Sequence, residues 1–166
     1  RATIKNRLIA SEMGREFYDG ARENGYGGFR YDGRWKRLLP KLIERYGLTS
    51  QSRVLDVGCK KGFLISDLCG LVPGIEAFGV ERSLYPLQNA PGHVKWRVSH
   101  SPYDELPFPN DLFDFVIAWA SIYILDLGGV VRAFREIQRV SKGKAYVSVG
   151  AYETEEDREL FLRWSL

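Results

Sequence analysis

From residue 53 onward the hydrophobic positions follow two alternating rhythms, one with a period of two and one with a helical period. Val54-Leu55-Asp56-Val57 is a short apolar strand, and the segment from Gly62 to Gly70 reads as a helix. Ile75 to Val80 predicts a second strand ending at Glu81, and Val94 to Val98 a third. The run from Phe113 to Trp119 is nearly continuous in hydrophobics, as a strand buried on both faces should be. Val130, Ala133, Phe134, Ile137 and Val140 mark an amphipathic helix with basic residues toward its C-terminal end. Lys144 to Val149 is a fifth strand, and the acidic stretch from Glu153 opens a last helix. Repeated strand–helix alternation predicts an α/β fold, a parallel sheet with helices on both faces.

The first third is less regular. Ile4 to Ala10 has helical character, but Gly14, Gly20, Gly25, Gly27 and Gly28 punctuate the stretch after it. A clearer helix is predicted from an N-cap at Asp32, with Trp35, Leu38, Leu39, Leu42, Ile43 and Tyr46 on its apolar face and Gly47 as its stop. Pro40 inside it predicts a kink or a restart. The chain thus divides into a cap or lid over residues 1–31 and a main domain over 32–166.

Composition narrows the class of protein. At 166 residues, 45% hydrophobic and 27% charged, the chain suits one globular domain rather than a disordered or coiled-coil protein. No apolar run approaches the roughly 18–20 residues of a membrane span, and the polar N-terminus does not read as a signal peptide. A net charge of +3 is too small to argue for nucleic acid, and no basic face interleaved with aromatics extends beyond the N-terminal third. Residues 1–50 carry 11 basic and 6 acidic side chains, which suits either an anionic substrate or a solvated helix face. Cys59, Cys69, His93 and His100 match no metal-ligand spacing. Two reduced thiols point to a cytoplasmic protein.

The sharpest local feature is Val54-Leu-Asp-Val-Gly-Cys-Lys-Lys-Gly62, a strand running through a glycine turn into a helix. Small residues there let the backbone approach a ligand and point its N–H groups at it, at the carboxyl edge of a strand where open α/β sheets bind ligands. A dinucleotide fingerprint would need glycine where Lys60 stands, and a Walker A loop would need Gly-Lys-Ser/Thr. Glu81, at the end of the second strand, can accept hydrogen bonds from both hydroxyls of a ribose. Glycine turn and acid in this order favour a nucleoside ligand that needs no diphosphate cradle.

These residues, together with Glu105-Leu-Pro-Phe-Pro-Asn-Asp-Leu-Phe-Asp114-Phe-Val-Ile117, resemble the class I S-adenosylmethionine-dependent methyltransferases. Within them the chain looks most like small-molecule methylases of the ubiquinone and menaquinone group. The resemblance implies a Rossmann-like sheet and S-adenosyl-L-methionine as cofactor. It places Asp56, Gly58, Cys59 and Gly62 around the methionine and ribose, and Glu81 on the ribose hydroxyls. Arg82 and Ser83 fall beside the adenine, and Ala118 and Trp119 face the methionyl end. Lys60 departs from the family's central glycine. Ser101 or Pro102 stands where many relatives carry an acid for the adenine amine. These departures leave room for a second reading, a nucleoside-binding domain without catalysis.

Methyl transfer from a sulfonium is an in-line displacement, so alignment and exclusion of water carry most of the burden. Tyr123, in the loop after the fourth strand, and His100 are the candidate catalytic residues facing a small-molecule acceptor. Tyr26, Tyr31, Arg34 and Trp35 suit a cover over the cofactor, with Arg34 able to pair with a carboxylate. The family's sheet ends in an antiparallel hairpin, for which no sequence remains after Val149 and the final helix. A truncated chain is the expectation.

Overall fold

The computed structural model describes residues 3–164. Two helices, α1 (Ile4–Ser11) and α2 (Arg15–Tyr18), precede the longer α3 (Trp35–Tyr46). The chain then alternates through β1 (Arg53–Val57), α4 (Phe63–Leu71), β2 (Glu76–Glu81), α5 (Leu84–Gln88) and β3 (Val98–His100). It continues with β4 (Phe115–Trp119), α6 (Leu127–Val140), β5 (Ala145–Ser148) and α7 (Glu155–Trp164). The strands form one sheet in the order β3-β2-β1-β4-β5, every pair parallel. This is the parallel sheet that the alternation predicts, in the Rossmann-like form that the resemblance implies. Beyond β5 the described residues contain α7 and no further strand.

The near-continuous apolar runs are explained by burial on two faces. On one face Val54, Phe115 and Ile117 pack with Leu39 and Leu42 of α3 and Leu64, Ile65 and Leu68 of α4. On the other, Leu55, Val57, Val116 and Ala118 pack with Ala133, Ile137 and Val140 of α6. Successive strand residues therefore serve opposite cores, with Asp56 the buried polar exception in β1. Helix α6 is capped by Asp126, whose carboxylate accepts from the Gly129 N–H at 2.6 Å.

Two boundaries differ clearly from the sequence expectation. The third strand spans Val98–His100, because Pro91 O accepts from the N–H groups of Val94 and Lys95 and turns Lys95–Arg97 into a 3-10 helix. The alternation of Val94, Trp96 and Val98 imitates a strand; Trp96 is instead exposed, under the Arg97 guanidinium 4.0 Å away. Helix α3 begins at Trp35 rather than after Asp32, whose carboxylate accepts from the Arg34 N–H at 3.1 Å to form a local turn. The helix runs through Pro40 and ends at Gly47 with φ +65°. Helices α2 and α5 are too short to carry a periodic signal.

Candidate functional site

The strand order reverses beside β1: β2 lies on one side and β4 on the other, so the loops leaving β1 and β4 diverge around a crevice at the carboxyl edge. Gly58 turns the chain out of β1 at φ +87°. A Cβ there would lie 2.3 Å from Ser121 Cβ, so no side chain fits. Ser121 seals the junction by donating its hydroxyl to Val57 O at 2.6 Å.

Four of the loop's N–H groups are used within the protein. Those of Gly58 and Cys59 donate to Val80 O, that of Gly62 to Cys59 O, and that of Lys60 to Glu81 Oε2 at 3.1 Å. This differs from the expectation of N–H groups aimed at a ligand; these four build no phosphate cradle.

Glu81 is fully buried. Its Oε1 accepts from the Ser83 N–H at 3.0 Å and the Tyr103 hydroxyl at 2.8 Å. Three donors leave one of about four acceptor positions of the carboxylate free. Burial, reinforced by the Glu81 charge, pushes the Tyr103 phenol well above its ordinary value. Asp56, at the end of β1, is buried and pushed up to about 7, chiefly by desolvation; Lys60 opposes that shift and Glu81 adds to it. Burial also raises the Cys59 thiol, with the Asp56 and Glu81 charges adding.

A cavity of about 330 Å³ opens above these groups. Glu81, Lys60 and Tyr103 line its floor, and Ala120, Ser121, Tyr123, Ile124 and Leu125 its side beyond β4. Met13, Phe17, Tyr18 and Tyr26 of the N-terminal segment and Phe161 of α7 complete it. Its volume falls within the roughly 300–1,000 Å³ of small-molecule pockets. The Tyr18 hydroxyl is buried without a hydrogen-bond partner, and burial raises its pKa strongly, with Glu81 adding. A smaller pocket next to it is lined by Asp56, Gly58, Cys59, Lys60, Trp35 and Trp119.

The N-terminal segment is fastened over the glycine loop. Asp19 accepts from Lys61 Nζ at 2.7 Å, from the Tyr85 hydroxyl at 2.8 Å and from the Phe29 N–H at 3.0 Å. Burial would raise the Asp19 carboxyl, but these donors outweigh it and hold the group below its ordinary value. Tyr18 stacks between Tyr26 and Tyr85, at 5.7 and 6.1 Å between ring centroids.

Among the residues the sequence singled out, the structure brings Glu81 and Tyr123 to the main cavity and Asp56, Gly58, Cys59 and Trp119 to the adjoining pocket. Gly62 starts α4 at φ +74°, beside Val94 and Val98. Ser83 donates its hydroxyl to Met13 O, tying β2's exit to the N-terminal segment. Ser101 hydrogen-bonds within its own loop, to the carbonyls of Pro102 and Glu105. These three line neither cavity, and nor do the other four. Ala118 points into the α6 core, Arg34 pairs with Asp32 at 2.7 Å, and Arg82 is exposed. His100 donates through Nε2 to the carbonyl of Arg82 at 2.9 Å, on the exposed side of β3. Lys60, Tyr103 and Tyr18 belong to the site and were not read as ligand-facing. Their only sequence signals were a lysine in a glycine loop and hydroxyl-bearing aromatics near the predicted motifs.

Residues 54–144 match the methyltransferase domain family. A malonyl-[acyl-carrier protein] O-methyltransferase from Legionella pneumophila is 29% identical, over 78% of this chain and 47% of that protein. Among solved structures, the PH0226 protein from Pyrococcus horikoshii OT3 is similar with a TM-score of 0.59 and 25% identity, covering 77% of this chain and 58% of that one. The [4+2]-cyclase SpnF is similar with a TM-score of 0.54 and 31% identity, covering 64% and 41%. The chain spans about half the length of these relatives.

Proposed function

The chain belongs to the methyltransferase domain family, and from that premise we propose that its cavity binds S-adenosyl-L-methionine and directs transfer of the methyl group to a small or carrier-borne acceptor. The observation that carries this reading is Glu81: a fully buried carboxylate at the carboxyl end of β2, beside the Gly58 turn, on the floor of the 330 Å³ cavity. A buried charge of this kind needs donors. One acceptor position stays open, and the Tyr103 hydroxyl occupies another, where a ribose hydroxyl would compete with it.

The cofactor supplies an activated methyl carbon. The chain's own part is positioning: Glu81 holds the ribose, the Gly58–Ser121 contact shapes the floor, and Tyr18, Tyr26 and Phe17 exclude water from above. Asp56, Cys59 and Trp119 border the methionyl side. In this reading Arg82, Ser83 and Ser101 support the adenine edge through backbone and loop contacts, and residues 1–31 act as the cap. Tyr123 lies on the cavity's acceptor side, half-exposed, and serves to position the acceptor. His100 and Arg34 face elsewhere.

Among the described residues lining the cavity, Glu81 is the sole carboxylate and no histidine is present. With Glu81 committed to the ribose, the main cavity offers no second carboxylate, and Asp56 lies in the adjoining pocket. The acceptor that suits this site arrives already ionised, as a carboxylate does, and the relative named for malonyl O-methylation fits that choice. A second reading, adenosyl binding without methyl transfer, draws on Lys60 in the glycine loop and on the similarity to a protein titled a [4+2]-cyclase.

Calorimetry with S-adenosyl-L-methionine and S-adenosylhomocysteine tests the common premise; absence of binding by both ends it. Transfer of a labelled methyl group into a set of carboxylic acids and acyl thioesters separates the readings. Label found in a base-labile ester supports methylation. Binding with no transfer to any acceptor supports the second reading.

A further inference from the structure

Lys60 is out of place by two criteria. It holds φ +53°, a left-handed conformation that glycine adopts without strain and lysine does not. It is also the single basic side chain, among the described residues, lining either cavity. Its backbone N–H is spent on Glu81, which any residue but proline could supply. The side chain is therefore what distinguishes lysine from glycine here.

That side chain is half-buried and borders both spaces, with Asp56 and Cys59 on one side and Glu81, Tyr18 and Tyr26 on the other. Its ammonium makes no ion pair among the described residues and reaches only Gly58 O, at 3.4 Å. Burial would lower its pKa, but Tyr26, Asp56 and Glu81 outweigh burial and raise it, so the group stays charged. A charged ammonium in a partly desolvated wall, with one long contact to a carbonyl, has donors to spare. Glu81 offers the cavity an acceptor for hydroxyls; Lys60 offers it a cation some way off on the same floor.

Resting on the adenosyl reading above, we propose that Lys60 is the carboxylate anchor of the cavity: its ligand carries a carboxylate as well as a vicinal diol, and Lys60 selects for it. That carboxylate belongs either to the nucleoside's own amino-acid tail or to a separate acidic acceptor. Both require the same cation at the same place, and neither requires the glycine that Lys60 replaces. Exposed lysines bind carboxylates weakly because water screens them; the partly buried position gives this one its selectivity.

The test is a ligand-by-variant cycle read by calorimetry. S-Adenosylhomocysteine is compared with its decarboxylated analogue, S-adenosyl-3-thiopropylamine, on the unaltered protein, Lys60→Met and Lys60→Arg. Methionine keeps the side-chain length and the backbone N–H to Glu81; arginine keeps the charge. Thermal melting confirms that each variant is folded. The expected result is about tenfold tighter binding of the carboxylate-bearing ligand, reduced to under twofold in Lys60→Met and retained in Lys60→Arg. A malonate monothioester, titrated with the decarboxylated analogue present, forms the second arm. Lys60-dependent binding in that arm alone assigns the anchor to an acceptor and supports the proposal equally. Equal affinities for both nucleosides, with no Lys60-dependent binding of the thioester, overturn the inference and leave the adenosyl reading intact. Binding of neither nucleoside overturns both.

Discussion

Substituting Gly58 by alanine tests the geometry at the switch point more directly than any change to a polar group. Two costs arise from the structure. The residue holds φ +87°, where an L side chain costs roughly 1–2 kcal/mol. The new Cβ also meets Ser121 Cβ at 2.3 Å and Ser121 Oγ at 3.0 Å, whereas carbon atoms settle at about 3.5–4.0 Å. Ser121 Cβ cannot swing away as a long side chain would, so overpacking adds about 1–3 kcal/mol. The sum, about 2–5 kcal/mol, is a large fraction of the roughly 5–15 kcal/mol that holds a domain folded. At about 2–4 °C per kcal/mol, the melting temperature falls by roughly 4–20 °C. The partition is checked with Ser121→Gly, which removes both clashing atoms and leaves only the Tyr103 hydroxyl at 3.4 Å. Alone it loses the 2.6 Å bond to Val57 O, about 1 kcal/mol. Urea denaturation followed by tryptophan fluorescence on the four proteins gives the coupling energy. The double variant should recover the steric part, about 1–3 kcal/mol, and not the φ part. Additivity within about 0.5 kcal/mol would mean that β1 and β4 do not close on each other as described.

Asp56 predicts an unusual pH dependence. Its folded value of about 7 lies above the ordinary 3.8, so between those values the unfolded chain has released a proton that the folded chain retains. Stability therefore falls as pH rises from about 4 to 7, by about 4 kcal/mol from this group at 1.36 kcal/mol per unit, and levels off above 7. Asp56→Asn should remove that slope; denaturation curves for the two proteins that stay parallel from pH 4 to 8 would contradict it. Tyr103→Phe removes the hydroxyl bonded to Glu81 Oε1, which should cost about 1 kcal/mol of stability. S-Adenosylhomocysteine should bind this variant at least as tightly, since a competitor for Glu81 is gone. A tenfold loss of affinity on calorimetry would instead make Tyr103 a ligand contact.

The sequence by itself determined the layers and the edge that carries the candidate site. Burial on both faces left a continuous apolar run in β4, the glycine turn after β1 lies at a fixed offset from its strand, and the acid ending β2 follows it in order. These are local properties, written in neighbouring residues. Tertiary structure decided what the edge is made of. Lys60, Tyr103 and Tyr18 come from the loop after β1, the loop after β3 and the N-terminal segment, and no periodicity relates them. The same holds for the residues that fell away. Ala118 faces the α6 core because strand residues alternate sides, and Arg34 is taken by Asp32 two residues earlier. His100 ends an edge strand on its exposed side. A chain order can place a residue at an edge; which way its side chain turns depends on partners that only folding brings near.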